Sequence, residues 1–193
     1  MIIKKKVASI LKKSKTMLLA TAEDGTQWAG QGAAYYSLAG LPQMNVAEVM
    51  NALDYTEEEK AKFTTQTTAQ LGEIIEDNYP AEIPVDSMKP VYYAEVKYIM
   101  FSAGGRVLLI NSELLQPVKH QMETAFFMRI KEDGHVVLCV KVGIFAEAVI
   151  CDVEFKRKGI DDLLAGMEKI KQEIANGYKP LDEENEYEQE TID

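Results

Sequence analysis

Three turn signals divide most of this chain into pairs of strand-like segments. The dipeptides Asp24-Gly25, Gly104-Gly105 and Asp133-Gly134 each separate stretches rich in apolar and aromatic residues. Asp-Gly and Gly-Gly accept the positive φ angles that a tight hairpin turn requires. The sequence therefore predicts three antiparallel hairpins. The predicted hairpins span residues 17–38, 91–110 and 125–142, and the last is expected to continue as a strand to residue 151 after a bend at Gly143.

Helical patterns lie between these hairpins. Apolar residues recur at three- and four-residue spacing within residues 1–15, which predicts an amphipathic helix with lysines on its outer side. Asn45 precedes Glu48 by three residues, and Thr56 precedes Glu59 in the same way, so each pair predicts a helix start with a capping box. The second of these helices is expected to reach Phe63. Further helices are predicted for residues 112–118 and 160–174.

Together these patterns predict an α+β protein. Its sheet is expected to be mainly antiparallel, built from the three hairpins, with amphipathic helices packed on one face. Residues 1–78 supply the N-terminal helix, a hairpin and a helical segment. Residues 91–178 supply the other two hairpins with helices and are expected to continue the same core, after a proline-containing connector at 78–90 without regular structure. Residues 181–193 are predicted to be a disordered acidic tail.

Charge is distributed unevenly along the chain. Six lysines lie in the first fifteen residues and seven acidic residues in the last thirteen, so the two ends nearly cancel and the middle carries most of the formal net charge of −10. A chain this acidic repels a phosphate backbone unless its cations share one surface. The candidate nucleic-acid contacts are therefore the two basic clusters, the first in the N-terminal helix and the second before the predicted last helix: Lys5, Lys6, Lys12, Lys13, Lys156, Arg157 and Lys158.

Composition predicts a cytoplasmic protein. Its two cysteines, Cys139 and Cys151, are too few for a disulfide framework. The most apolar region, residues 136–150, contains Lys141 and Glu147 and falls short of the roughly 20 apolar residues that a membrane helix needs. We therefore expect no membrane association.

Residue patterns give no catalytic signature. His120 and His135 do not lie in a cluster with metal-ligand spacing, and Gly30-Gln31-Gly32 lacks the third glycine and the following helix of a dinucleotide-binding loop. No catalytic residue, metal or cofactor is predicted. Aromatic residues on the first predicted hairpin have two interpretations, core packing or an exposed interface. The candidate interface residues are Trp28, Tyr35 and Tyr36.

The segment from residue 107 to residue 150 has the order strand, short helix with paired leucines, strand, turn, strand. Its letters Leu108–Leu115 (LLINSELL) and Phe126–Ile130 (FFMRI) carry the pattern. In these residues the chain resembles the final part of a DNA polymerase sliding-clamp domain. The resemblance implies an acidic protein without an active site, which directs basic helices towards the DNA that it encircles and assembles with copies of itself.

Three functions follow as expectations. The first is a non-enzymatic binding or assembly module of a bacterial or mobile-element protein, which engages a protein partner or itself through a sheet edge or a helical face. The second is a sliding-clamp-like, DNA-associated protein with a basic helical face. The third is an enzyme with an unrecognised carboxylate site.

Overall fold

The computed structural model describes residues 4–67, 71–93, 95–103, 106–118, 123–131 and 134–153. Residues 1–153 form one compact unit. The predicted helix 160–174, the predicted acidic tail and the basic cluster Lys156, Arg157 and Lys158 lie outside the described residues, as does His120.

Eleven strands and three α-helices occur in the described part of the chain. In chain order they are α1 (Lys4–Ser14), β1 (Thr16–Thr21), β2 (Gln27–Gly30), β3 (Ala34–Ser37), α2 (Val46–Ala52), α3 (Glu57–Lys60), β4 (Thr64–Thr67), a 3₁₀ turn (Gly72–Ile75), β5 (Ile83–Pro84), β6 (Asp86–Tyr93), β7 (Val96–Ala103), β8 (Arg106–Asn111), β9 (Thr124–Ile130), β10 (Val136–Val142) and β11 (Phe145–Cys151). Among the described residues, no helix combines the length and apolarity needed to cross a membrane.

Two sheets contain these strands. The larger has eight strands in the order β4-β1-β2-β3-β11-β10-β9-β5, and the smaller has three in the order β6-β7-β8. Every pairing is antiparallel except β1 with β4, which is parallel. The predicted α+β class with a mainly antiparallel sheet is confirmed.

Both faces of the large sheet are covered by apolar side chains. Successive residues of a strand point to opposite faces, and in β10 the residues Leu138 and Val140 belong to one core cluster whereas Val137 and Cys139 belong to another. The first cluster also contains buried residues of α1, α2, β7 and β8: Val7, Ala8, Leu11, Val49, Met50, Phe101, Leu108 and Ile110. The second is closed by the 3₁₀ turn through Ile74 and Ile75. This double burial explains why β3 and β10 are apolar almost throughout.

The first predicted hairpin contains three strands, because the segment expected to be its second strand folds back on itself between β2 and β3. Gly30 ends β2 at a point of close contact, where an added Cβ would lie 2.3 Å from Tyr35 Cδ1 and 2.5 Å from the Ala34 carbonyl oxygen. Gly32 has φ +94°, a conformation that glycine adopts without strain. The Gly-x-Gly sequence is therefore a tight connection between strands.

Three further sequence predictions differ from the structure. Helix α3 ends at Lys60 instead of reaching Phe63, and the following threonines form β4. Residues 112–118 form consecutive turns with i to i−3 hydrogen bonds instead of a helix, which is consistent with the missing backbone donor of Pro117. The connector 78–90 contains β5 and the start of β6. Pro90 is tolerated in β6 because this strand lies at a sheet edge and its register shifts between Ser87 and Pro90.

Candidate binding face

Helix α1 places three of the four predicted N-terminal lysines around one cavity. Its volume is about 580 Å³, and Lys5, Lys12 and Lys13 line it together with Leu53 and Asp54. We call it the basic cavity. The fourth, Lys6, is exposed on α1 outside this lining. The helix brings these residues to one side because its apolar stripe is buried in the first core.

Two lysines of the basic cavity already have acidic partners. Lys12 Nζ lies 2.7 Å from Glu59 Oε1, and Lys13 Nζ lies 2.7 Å from Glu113 Oε2. The hydrogen bond from Lys12 lowers the pKa of the Glu59 carboxyl below its ordinary value. Lys5 has no ion-pair partner among the residues that the structure describes. The positive charge that this cavity offers to a ligand therefore comes mainly from Lys5, and the acidic residue Asp54 also lines the cavity.

A middle cavity adjoins the basic cavity. It has a volume of about 320 Å³ and shares Leu53 with the basic cavity. Lys4 and Glu147 both line it, with Ser37 and Ala39 on the β3 side. Opposite charges thus occur within this one cavity.

An acidic cavity adjoins the middle cavity on its other side. It has a volume of about 250 Å³ and shares Ser37, Ala39 and Glu147 with the middle cavity. The carboxylate residues that line it, which approach each other from β11 and from two loops, are Asp24, Glu76, Asp77 and Glu147. None of the described residues that line it is a lysine or an arginine. The charge of the lining therefore differs between the three adjoining cavities, which pass from residues of the first core cluster to residues of the second.

Three of these four carboxylates hold local backbone in place. Asp24 Oδ1 accepts a 2.7 Å hydrogen bond from the Thr26 amide, and Glu76 Oε1 accepts one of 3.0 Å from the Glu23 amide. Asp77 Oδ1 accepts one of 2.6 Å from the Ala146 amide, and this hydrogen bond joins the loop after the 3₁₀ turn to β11.

The remaining carboxylate, Glu147, is half-buried. Burial raises its pKa above the ordinary value of 4.5, and the nearby negative charge of Asp77 acts in the same direction. A cationic group from a ligand would stabilise the ionised form of Glu147.

Two consecutive large apolar side chains, one of which lines the acidic cavity, are mostly exposed. Ile144 is 74% exposed and Phe145 is 59% exposed, and both follow Gly143, whose φ of +62° makes the turn into β11. Phe145 also lines the acidic cavity. We use the term binding face for the three cavities together with Ile144 and Phe145. Contiguous exposed apolar surface is a feature of contact sites.

The three aromatic residues proposed from the sequence as an interface are buried. Tyr36 has no exposed surface, and its hydroxyl donates a 2.8 Å hydrogen bond to the Leu114 carbonyl. Trp28 and Tyr35 pack in the second core. Core packing was the other interpretation of these residues, and the structure shows that packing, because both faces of the sheet are covered. Trp28 alone also lines the acidic cavity.

A buried ionic cluster lies on the face of the large sheet that the second core cluster covers. Glu82 accepts hydrogen bonds from Arg129, at 2.8 Å from Nη2, and from Lys141. Arg129 Nη1 also donates to the Ile74 carbonyl at 2.7 Å, and Lys141 Nζ donates to the Asp77 carbonyl at 2.8 Å. Arg129 has no exposed surface. This cluster ties β9 and β10 to the loop that carries Glu82 and gives a substrate no access to the guanidinium group.

Sequence reasoning missed the acidic cavity. Asp24, Asp77 and Glu147 lie on segments far apart in the chain, and no local pattern joins them. Ile144 and Phe145, directly after the turn residue Gly143, were the available signal, because connecting segments lie on the protein surface. His135 is exposed, and the described part of the chain contains no group of three or more His, Cys, Asp or Glu residues arranged to hold a metal ion.

Comparison with known proteins adds no relative. The resemblance of residues 107–150 to a sliding-clamp domain gains no support, and the predicted short helix of that segment is a series of turns. The chain matches no protein-family profile, no curated protein and no solved structure.

Proposed function

We propose that this chain is a non-enzymatic binding module that recognises a protein surface through the binding face. One observation carries the proposal: three cavities that share lining residues pass from acidic to basic, next to an exposed apolar pair. Protein interfaces combine an apolar centre with a charged rim that sets orientation. The binding face has both components.

The charges favour a protein partner over a nucleic acid. A phosphate backbone needs several free cations along one surface. Lys12 and Lys13 are neutralised by Glu59 and Glu113, and four carboxylate residues line the acidic cavity. A partner that carries both positive and negative groups can form attractive contacts with the acidic and the basic cavity, whereas the acidic cavity repels a polyanion.

The hydrogen bonds of the acidic cavity favour binding over catalysis. An enzymatic carboxylate must reach a substrate proton or a reacting atom. Asp24, Glu76 and Asp77 each accept a backbone hydrogen bond instead, so their first task is to fix loops.

The two edges of the large sheet are short and offer little for recognition by strand pairing. Strand β4 is the uncovered edge of the large sheet, with all four residues exposed, but it is only four residues long. Very short edge strands limit pairing with another chain, because they offer few backbone hydrogen bonds. At the opposite edge, β5 has two residues and ends in Pro84.

A photo-crosslinking experiment tests the proposal. A benzophenone amino acid is placed at Ile144, and in a separate protein at Val107, which is also exposed but lines none of the three cavities. We expect crosslinking at Ile144, in the cells that naturally express the chain, to give a discrete protein adduct that Lys5→Glu weakens. The same adducts from both positions, or a nuclease-sensitive adduct at Ile144, would contradict the proposal.

DNA binding is the second candidate function, favoured by the exposed lysines Lys4, Lys5 and Lys6 at the start of α1. It predicts salt-sensitive retention on heparin or duplex DNA, since each neutralised phosphate releases counterions. No retention at low salt would eliminate it.

A further inference from the structure

We propose that the acidic cavity binds the N-terminal amine of the partner polypeptide, whose ammonium group pairs with Glu147 and whose first carbonyl oxygen accepts a hydrogen bond from Trp28 Nε1. This inference rests on the proposed function and names the part of the partner that enters the cavity. Capture of a chain terminus is one of the recurring modes by which proteins recognise peptides.

Trp28 supplies a hydrogen-bond donor that has no acceptor. The residue is 2% exposed, and its Nε1 is the one buried side-chain nitrogen or oxygen atom without a hydrogen-bond partner among the described residues. Trp28 also lines the acidic cavity. Nearly all buried donors in folded proteins have a partner, because leaving one unpaired costs free energy. A ligand atom that accepts this hydrogen bond recovers that cost, so the cavity favours a ligand with an acceptor.

The carboxylates of the cavity supply the opposite half of the recognition. Backbone hydrogen bonds hold Asp24, Glu76 and Asp77 in place around the cavity, and Glu147 is half-buried beside them. Burial holds the pKa of the Glu147 carboxyl above its ordinary value. An ammonium group next to Glu147 stabilises the ionised carboxylate, and the other three negative charges attract the same cation. The cavity therefore favours a ligand with a positive charge as well as an acceptor.

The N-terminus of a polypeptide carries both groups within one residue. Its ammonium group is separated from the first carbonyl by a single Cα, whereas the charged ends of lysine and arginine side chains have no acceptor nearby. The cavity volume of about 250 Å³ is below the roughly 300–1,000 Å³ of pockets that enclose a drug-sized ligand, so it suits a small terminal group. Phe145, which lines the cavity and is 59% exposed, offers an apolar surface to the first side chain.

An NMR titration of the full chain with the tripeptide trialanine amide tests the proposal. Trp28 is the single tryptophan, so its indole N–H gives one signal in a proton–nitrogen correlation spectrum. The amine of a peptide has a pKa of about 7.7–8.0 and is charged at about pH 6.5. Acetylated trialanine amide keeps the carbonyls and lacks the cation. Nα-acetyl-lysine amide keeps an ammonium group and separates it from the carbonyl.

We expect trialanine amide to move the indole signal, because a new hydrogen bond forms at Nε1. Acetylation of the peptide should weaken binding by roughly 10-fold or more, since a charged hydrogen bond is lost, and Glu147→Gln should have a similar effect. Glu58→Gln, at an exposed residue that lines none of the three cavities, should leave binding unchanged. The same spectra show whether each variant is folded.

An indole signal that trialanine amide does not move would overturn the inference. Equal binding of the acetylated peptide or of Nα-acetyl-lysine amide would also overturn it, as would an unchanged affinity in folded Glu147→Gln. If trialanine amide does not bind but Ile144 crosslinks to a discrete protein, the amine site is wrong and the proposed function stands. If trialanine amide binds as expected and Ile144 gives no protein adduct, the amine site stands and the proposed function is wrong.

Discussion

Replacing Glu82 by alanine leaves two buried cations without the carboxylate that both contact. Arg129 is fully buried and Lys141 nearly so, and each donates a hydrogen bond to Glu82. Moving a charge out of water costs several kcal/mol unless a counter-charge offsets it. The variant keeps the cations in place and removes that compensation.

The expected loss for Glu82→Ala is about 3–5 kcal/mol of unfolding free energy, the usual cost when one partner of a buried ion pair is removed. Arg129→Met has a different effect, because the contact of Glu82 with Lys141 remains. That variant leaves the Ile74 carbonyl without its donor, at a cost of about 1–3 kcal/mol. We therefore expect the smaller and more exposed residue, Glu82, to have the larger effect.

Urea unfolding measures this order. Trp28 is the single tryptophan and is buried in the second core, so its fluorescence reports unfolding near the cluster. Glu58→Ala, in an exposed ion pair with Lys62, serves as the control and should change stability by no more than about 1 kcal/mol. If Arg129→Met destabilises more than Glu82→Ala, packing around the guanidinium dominates and the electrostatic argument is refuted.

Three further predictions concern single residues. Burial raises the pKa of Glu147, so the folded state holds the carboxyl proton more tightly than the unfolded state does. The folded state therefore loses stability as pH rises above about 4.5, the ordinary pKa of the group. Glu147→Gln should raise the melting temperature at pH 7 and leave it unchanged near pH 3. Burial also raises the pKa of Cys139 to about 12, so in a thiol titration at pH 8 the more accessible Cys151 should react first and Cys139 only on unfolding; equal rates in native protein would contradict this. Gly30→Ala should cost about 1–3 kcal/mol in urea unfolding, because the new methyl group meets the backbone of Ala34; unchanged stability would show that β2 and β3 separate easily.

Local signals in the sequence predicted local structure well. The capping box of Asn45 and Glu48 was read from two residues, and the structure contains both of its hydrogen bonds. The box of Thr56 and Glu59 is present in the same way. These features depend only on residues within one helical turn, so no knowledge of the remaining fold is needed.

Features that depend on distant parts of the chain were not predictable. Thr64–Thr67 has poor helix propensity, and it pairs as a parallel strand with β1, about 48 residues earlier, which no local pattern indicates. The acidic cavity similarly joins Asp24, Asp77 and Glu147 through the pairing of β3 with β11 and the hydrogen bond from Ala146 to Asp77. Sequence periodicity indicates which side chains of a strand share one face of the sheet, but it does not identify the strand that pairs with it.

The double burial of the large sheet also determines where recognition can occur. Because Tyr35 and Tyr36 point to opposite faces and both are covered, the aromatic strands have no free surface to offer a partner. The groups left outside are the lysines of α1 and the loops at the ends of strands, where Ile144 and Glu76 lie. These segments meet beside β3 and β11, so three cavities of different charge adjoin there. The unequal charge along the chain thereby becomes a difference in charge between neighbouring cavities, which is the kind of asymmetry that orients a partner of mixed charge.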